Sequence, residues 1–342
     1  MKTLFELLRE ETPSNIRTGL LSRINDVINV LFSSGKKACT LSLITNVFSP
    51  IALPIGAMLN VHAMQILEQA LIKFRKDGCG DLYLILSTLG GDIHFPELFI
   101  GKVRGLGFER INVIIPSIAM SAGTLLTMLS DRVIGFSYAS IGPVDPQLIV
   151  QTPLGLRVIS AIAYKRLIEE TLPKLADEKK LGVDGLSRLY IAQDMYLYQE
   201  SLRSLEYVGH ILHINVKPKL DESSFKDLLS IFLTDVESHS KPLGLRKLKE
   251  LGFDVIFLDS DEKYKELADL IAEYYSRVEH AFILEPSKGA RVLLIGTPFG
   301  EIIQEAVIQA LQAPPRTGPP TQKTRNDYEK KNIQVTGTPS QY

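Results

Sequence analysis

A chain of 342 residues is long enough for one large domain or two smaller ones, with a substantial buried core. Hydrophobic residues make up 45% and charged residues 23%, as in folded globular proteins. The formal net charge of -1 gives neither the basic excess of a nucleic-acid binder nor an acidic solvating tail.

The opening residues carry Glu6, Glu10 and Glu11, so they lack the basic-then-apolar layout of a signal peptide. Ile16, Leu20, Ile24, Val27, Ile28 and Leu31 recur at helical spacing, with Ser14 or Asn15 as a cap. Lys37–Ile44 reads as a strand. The most apolar stretch, Ala38–Val61, is interrupted by Asn46, Pro50 and Pro54. It never reaches about 18 uninterrupted apolar residues and reads as strands and loop, not a membrane span. Peripheral membrane contact stays open. Cys39 and Cys79 belong to no Cys-x-x-Cys or Cys/His cluster. They can pair only if the fold brings them together, and they read as reduced thiols of a cytoplasmic protein.

His62–Lys76 is a second amphipathic helix. Leu82–Leu86 is a short apolar strand, followed by the turn Thr88-Leu89-Gly90-Gly91-Asp92. Phe95, Leu98, Phe99 and Val103 mark a helix, and Ile111–Ile115 a strand. Ser117–Met120 is a turn, Ser121–Leu129 a helix that opens with small residues, and Arg132–Phe136 a third strand. Apolar strands alternating with helices imply an α/β fold of βαβ units around a parallel sheet.

After Gly142-Pro143 the pattern turns helical, over Ile159–Leu172, which Pro173 should close, and over Ser187–Leu212. Ser223–Leu233 and Pro242–Leu251 read as further helices. Val255–Leu258 and Val292–Ile295 read as late strands, Tyr264–His280 and Glu301–Leu311 as helices. From Ala313 the Pro-, Thr- and Lys-rich composition predicts a disordered tail.

Chemistry is expected where ligands bind in parallel sheets, at the carboxyl ends of the strands. Two turns stand there. Gly90-Gly91 lets the backbone approach a substrate and present free N–H groups. Ser121 begins a helix, where unpaired N–H groups and the positive dipole end stabilise an oxyanion beside a nucleophile. Ala122 and Gly123 are small enough for a substrate carbonyl to approach. The amides of Gly91 and Ala122 would form a two-donor oxyanion hole. Each motif alone has a plainer reading, since Ser is a common helix cap and Gly-Gly a common turn.

The combination is more specific. Ser87-Thr88-Leu89-Gly90-Gly91, then Ala119-Met120-Ser121-Ala122-Gly123-Thr124, then Asp131 and Ile141-Gly142-Pro143-Val144-Asp145-Pro146-Gln147 follow in order. This set resembles the serine dehydrogenase proteinase family. That family is a Clp-fold group related to signal peptide peptidase and the Clp proteolytic subunit, within the crotonase-like superfamily. The resemblance is close over residues 80–150. A looser match runs to about residue 280 through Ala192-Gln193-Asp194-Met195, Ser238-His239, Lys247 and Leu251-Gly252-Phe253. It implies a Clp/crotonase-like spiral, Ser121 as nucleophile, the Gly91 and Ala122 amides as oxyanion hole, and homo-oligomers.

The base departs from one branch of these relatives. Asp145 stands near where the Clp proteolytic subunit carries its His. Signal peptide peptidases of this fold use a Lys beyond the Ser, and Lys165 stands at a similar remove, among Ile159, Ile162, Ala163 and Leu167. A partly buried Lys there would lose its charge more readily and act as a base; a snorkelling surface Lys is the plain alternative. Gly90 and Asp145 are supporting candidates: Asp145 to cap a helix, orient a base or hold a loop. His94, three residues after Gly91, is a supporting candidate for contacting substrate, while His239 reads first as a structural residue, with reach to the site as the alternative. Asp131 reads as a turn residue. No His pair has metal-site spacing and no cofactor is expected.

The expected organisation is an N-terminal helical segment (1–35), a Clp/crotonase-like domain with helical insertions (36–285), a strand and helix (286–312) and a tail (313–342). The expected activity is a serine peptidase acting on peptide or protein substrates, without nucleic acid. The alternatives are a crotonase-like acyl-CoA enzyme and a catalytically silent oligomeric scaffold.

Overall fold

The computed structural model describes residues 14–32, 35–47, 58–152, 155–177, 192–236, 238–284 and 290–306. The expected tail, the N-terminal thirteen residues, the first residues of the expected Ser187 helix and the end of the expected Glu301 helix lie outside them.

Helix α1 (Ser14–Phe32) leads into β1 (Lys37–Thr45), α2 (Val61–Lys76) and β2 (Cys79–Ser87). All nine β2 residues are buried, which is why its sequence shows no alternation. Asn60 caps α2 by accepting from the Ala63 N–H at 3.0 Å, and Lys73, Arg75 and Lys76 meet the negative end of its dipole. Gly78, at φ 85°, then turns the chain into β2, where a side chain would be strained. Helix α3 (Phe95–Gly105), β3 (Arg110–Ile115), the two-residue β4 (Ile118–Ala119), α4 (Ala122–Leu129) and β5 (Arg132–Gly135) follow. Phe95, Phe99 and Val103 of α3 are fully buried. Such side chains each contribute about 1.5–3 kcal/mol on leaving water.

Beyond β5 come β6 (Ser140–Ile141), β7 (Gln147–Thr152), β8 (Gly155–Ser160) and α5 (Ala161–Arg166). A π-turn (Leu167–Thr171) joins α5 to α6 (Leu172–Asp177), and α7 (Ala192–Asn215) is the longest described helix. Then α8 (Glu222–Leu229) runs into a second π-turn, Ser230–Thr234. The chain ends in β9 (Leu243–Gly244), α9 (Arg246–Glu250), β10 (Val255–Phe257), α10 (Lys265–Leu284), β11 (Ala290–Thr297) and β12 (Gly300–Ala306).

Seven strands form the main sheet in the order β10-β5-β3-β2-β1-β11-β12. The run from β10 to β1 is parallel, while β11 and β12 close one edge antiparallel. A small second sheet, β4-β6-β9, stands beyond the carboxyl ends of β2 and β3. The described residues all belong to one unit, Met1–Val307.

Several sequence expectations are corrected. Cys39 and Cys79 are not free thiols: β1 and β2 are neighbours, and the two residues form a disulfide with Cα atoms 5.8 Å apart. Ile159 belongs to a strand, because Gln147–Thr152 and Gly155–Ser160 pair as a hairpin. Its cross-strand pair Ile149 and Val158 is exposed, so no polar/apolar alternation marks it. Pro173 does not close a helix: the π-turn before it already interrupts the i→i−4 ladder that a proline cannot join. Leu243–Gly244 is a strand where the sequence suggested helix. Glu301 opens a strand, not a helix, because Thr297–Gly300 makes a tight hairpin onto β11. The Glu301 carboxylate receives the guanidinium of buried Arg17, with Nη2 to Oε1 at 2.6 Å, tying β12 to α1.

Candidate active site

Ser121 stands between β4 and α4 with φ 51° and ψ −117°. Among the described residues it is the one non-glycine with positive φ. Such a conformation costs roughly 1–3 kcal/mol and persists only where the surroundings over-determine it. The surroundings here are specific. The Thr88 N–H donates to the Ile118 carbonyl and the Met120 N–H to the Thr88 carbonyl, each at 2.9 Å. The Gly123 N–H donates to Met120 at 2.8 Å and Leu125 to Ser121 at 3.0 Å, which starts the helix. The Thr124 hydroxyl donates to the Ala119 carbonyl at 2.6 Å and accepts from the Gly142 N–H at 2.9 Å. Gly123 lets the helix close on Thr88, since a Cβ there would lie 2.5 Å from the Thr88 Cγ2.

The Ser121 side chain makes no cap hydrogen bond. Its position at the helix start is therefore not explained by capping. The hydroxyl sits half-buried at a sharp strand-to-helix turn, the local geometry that exposes a nucleophile.

The second turn packs directly against it. Gly90 has φ 121°, and a Cβ there would lie 2.7 Å from the Ser121 Cβ and 3.3 Å from its Oγ. Thr88 Oγ1 accepts from the Gly90 N–H at 3.0 Å. Leu59 donates its N–H to the Gly90 carbonyl and accepts from the Asp92 N–H, each at 2.9 Å. This short parallel bridge brings the Leu59 backbone so near Gly91 that a Cβ would fall 2.2 Å from the Leu59 oxygen. These bonds use the amides on either side of Gly91 and not its own N–H. Ala122, first residue of α4, likewise donates to none of the acceptors that fix the turn. The sequence had not singled out Leu59; an apolar residue before a helix gives no sign that its backbone clamps a glycine turn.

Asp145 is buried and holds two side chains. His239 Nδ1 lies 2.7 Å from its Oδ1, and the Ser160 hydroxyl donates to its Oδ2 at 2.7 Å. Ser160 in turn caps α5 by accepting from the Ala163 N–H at 3.2 Å. The pairing with His239 follows from topology. β6 and β9 are antiparallel, with Ile141 opposite Leu243, and the same register continued brings Asp145 opposite His239. Ser160 was missed in the sequence, although a Ser before an apolar helical run is a capping signal.

Lys165 lies on α5 with its ammonium 3.9 Å from Glu169 and its side chain 37% exposed. His94 is exposed at the start of α3 and packs on Tyr207 of α7, with ring centres 4.4 Å apart. Tyr207 donates to Glu97 at 2.6 Å, and burial, then that bond, raises its phenol pKa. His94, Glu97, Tyr207, Glu68 and Lys102 line an open cleft of about 740 Å³ that Ser121 does not line. Asp131 accepts from the Ile111 N–H of β3 at 2.7 Å and pairs with Arg104, so it ties the turn before β5 to the neighbouring strand. At the other end of α4, the Lys219 ammonium donates to the carbonyls of Met128, Leu129 and Ser130, and its burial lowers its pKa. The helix that carries the oxyanion-hole candidate is thus fixed at both ends.

The sequence model of the ClpP-like SDH-type serine proteinases matches residues 51–291. Two uncharacterized proteins of Methanocaldococcus jannaschii are similar to the chain. One is 26% identical over 203 residues, covering 59% of this chain and 62% of the relative. The other is 34% identical over 148 residues, covering 43% and 42%. The chain therefore spans less than two thirds of the length of these curated relatives. Among solved structures, a membrane-bound stomatin-specific protease aligns over 58% of this chain and 74% of its own, with 11% identity and a TM-score of 0.36. Among the described residues no helix is long and apolar enough to cross a membrane.

Proposed function

Because the chain belongs to the ClpP-like SDH-type serine proteinase family, we propose that it hydrolyses peptide bonds through an acyl-enzyme on Ser121. The observation that carries this reading is the Ser121 backbone: a strained turn that leaves the hydroxyl without a capping bond. In this reading Ser121 Oγ attacks the scissile carbonyl, and the oxygen that becomes negative is received by the Gly91 and Ala122 N–H groups. One such donor is worth about 10²–10³ in rate. Gly90 gives the approach its room, because any side chain there would press on Ser121. The positive end of α4 adds to the stabilisation of the oxyanion.

Lys165 is the base that the sequence offers, and in this reading it would have to leave Glu169 to serve. Assembly into homo-oligomers and action on peptides or proteins complete the proposal, both resting on the family resemblance. The acyl-CoA alternative uses the same two amides but leaves Ser121 idle, and a strained, uncapped serine favours the peptidase.

The test is intact-mass spectrometry after incubation with a fluorophosphonate. A single stoichiometric adduct on the native chain, absent in Ser121→Ala, is expected. No adduct between about pH 6 and 10 would overturn the proposal.

A further inference from the structure

Helix α10 carries two consecutive buried tyrosines, Tyr274 and Tyr275, in a stripe with Ile271 and Val278. A tyrosine hydroxyl taken into a core usually finds a polar partner there. The two hydroxyls go to different places. A Cβ on Gly296 of β11 would lie 2.6 Å from that of Tyr274. That of Tyr275 lies 3.1 Å from the hydroxyl of Ser87, the fully buried last residue of β2. Burial raises the Tyr275 phenol pKa, and the nearby Glu279 carboxylate adds to the rise. The Ser87 and Ser117 hydroxyls act on the same phenol in the opposite direction. Glu279 follows Tyr275 by one helical turn, so the two share a face of α10.

A phenol offers one proton and two lone pairs. The proton suits Glu279, since an ionised carboxylate only accepts, and the lone pairs suit the two serine hydroxyls. Those serines hold matching positions. Ser87 precedes Thr88 and Ser117 precedes Ile118, and the Thr88 N–H donates to the Ile118 carbonyl at 2.9 Å. Gly91 lies four residues beyond Ser87, and Ser121 four beyond Ser117. Tyr275 therefore meets both segments at their roots, one residue upstream of the bond that joins them.

From this geometry we propose that Tyr275, with Glu279 as its acceptor, is a positioning residue that fixes the Gly90-Gly91 turn and the Ser121 turn at one distance from each other. The inference rests on Ser121 being the nucleophile. Tyr275 acts through Ser87 and Ser117, on the amides of Gly91 and Ala122 further along the same segments. Without its hydroxyl the backbone bonds between the turns remain, so each turn keeps its local shape. Their roots lose the shared anchor, and the two segments become free to shift against each other. A displacement of about 1 Å at a reacting site costs about 10² in rate, even when its cause lies far from the chemistry.

The experiment compares Tyr275→Phe with Tyr274→Phe, which removes the neighbouring buried hydroxyl from the same helix. Fluorophosphonate labelling should slow about 10–100-fold in Tyr275→Phe and keep its native rate in Tyr274→Phe. Labelling of Tyr275→Phe at the native rate overturns the proposal. So does equal slowing in Tyr274→Phe, which makes the effect a general loosening of α10. Glu279→Gln keeps an acceptor oxygen and should label at the native rate, while Glu279→Leu should be as slow as Tyr275→Phe. Equal rates in these two overturn the proposal. Hydrogen exchange read by mass spectrometry tests the geometry without any reaction. Peptides spanning residues 87–92 and 117–123 should exchange faster together in Tyr275→Phe, and at the native rate in Tyr274→Phe. Unchanged exchange, or a change in one turn alone, overturns the proposal. Should Tyr275→Phe not fold, Ser87→Ala removes the same bond from its other end and is judged by the same outcomes. A native chain that never labels removes the nucleophile reading itself, and the exchange measurement then decides the anchor on its own.

Discussion

Replacing Ser121 by glycine should make the folded chain more stable while abolishing covalent labelling. At φ 51° and ψ −117° the serine occupies a backbone region that glycine alone enters without strain. Relief of that strain is worth roughly 1–3 kcal/mol. Glycine returns about 0.4–1 kcal/mol of this through the extra freedom of its unfolded chain. The hydroxyl makes no capping bond, so its removal costs nothing on that account. The balance is a gain of about 1 kcal/mol, or about 2 °C in Tm for a domain of this size. Ser121→Ala keeps the Cβ and therefore the strain, and should fall within about 0.5 kcal/mol of the native chain. Thermal and urea unfolding of the three proteins, side by side, is the assay. Ser121→Gly no more stable than Ser121→Ala would refute the strain argument. A loss of about 1 kcal/mol or more in Ser121→Ala would show that the hydroxyl works as a helix cap.

Gly91→Ala should both destabilise and disarm the site. Its Cβ would meet the Leu59 backbone at 2.2 Å from O and 2.5 Å from N, atoms that cannot swing aside. Loss of the two bridge hydrogen bonds and the accompanying backbone shift should cost about 2–4 kcal/mol in urea unfolding, with labelling slowed about 10²–10³-fold. Reduction of Cys39–Cys79, which are separated by 40 residues, should cost about 4 kcal/mol by loop-closure entropy. Urea midpoints with and without reductant measure it, and unreduced denatured protein should take up no alkylating agent at these cysteines. In alkali, burial raises the Tyr83 phenol to about 12. The unfolded chain loses that proton first, near pH 10, so the contribution is intact below pH 10 and lost as pH rises towards 12. Tyr83 alone should contribute about 2 kcal/mol of that loss. Tyr274 and Tyr275, raised by the same burial, act in the same direction, and urea midpoints at about pH 8, 10 and 11 follow it.

The parts of the fold legible in the sequence were those written in local periodicity. β2 and β3 were legible because Leu82–Leu86 and, Asn112 apart, Ile111–Ile115 are apolar runs buried on both faces of the sheet, and α2 and α3 bury one stripe each. The β7–β8 hairpin escaped because its Ile149–Val158 pair is exposed, so nothing in its pattern distinguishes strand from helix. β12 escaped for another reason. Its place is set by a hairpin turn and by the distant Arg17–Glu301 contact, neither of which appears in a local window. The cysteine pair was equally out of reach: two thiols 40 residues apart become neighbours only once β1 and β2 are known to pair.

The candidate nucleophile turn and the Asp145–His239 contact differ in the same way. Ser121, Gly90 and Gly91 lie in short motifs whose chemistry is local: a strand end, a glycine turn, a helix start. The partner of Asp145 is not local, because it arrives through the antiparallel register of β6 and β9, 94 residues along the chain. Asp145 alone reads as a residue between two prolines, and His239 alone as a surface histidine beside a serine. Only their contact gives either a chemical meaning. The clamp on the other side has the same logic. Thr88 binds Gly90, Met120 and Ile118 at once, so a single side chain and its backbone hold both turns in mutual register. A strained serine survives in such a frame because no one bond can relax without breaking the others. Thr88→Ala removes the hydroxyl's bond to the Gly90 N–H but keeps the backbone bonds to Ile118 and Met120, so it should loosen the Gly90-Gly91 turn and slow labelling while the Ser121 turn keeps its strain.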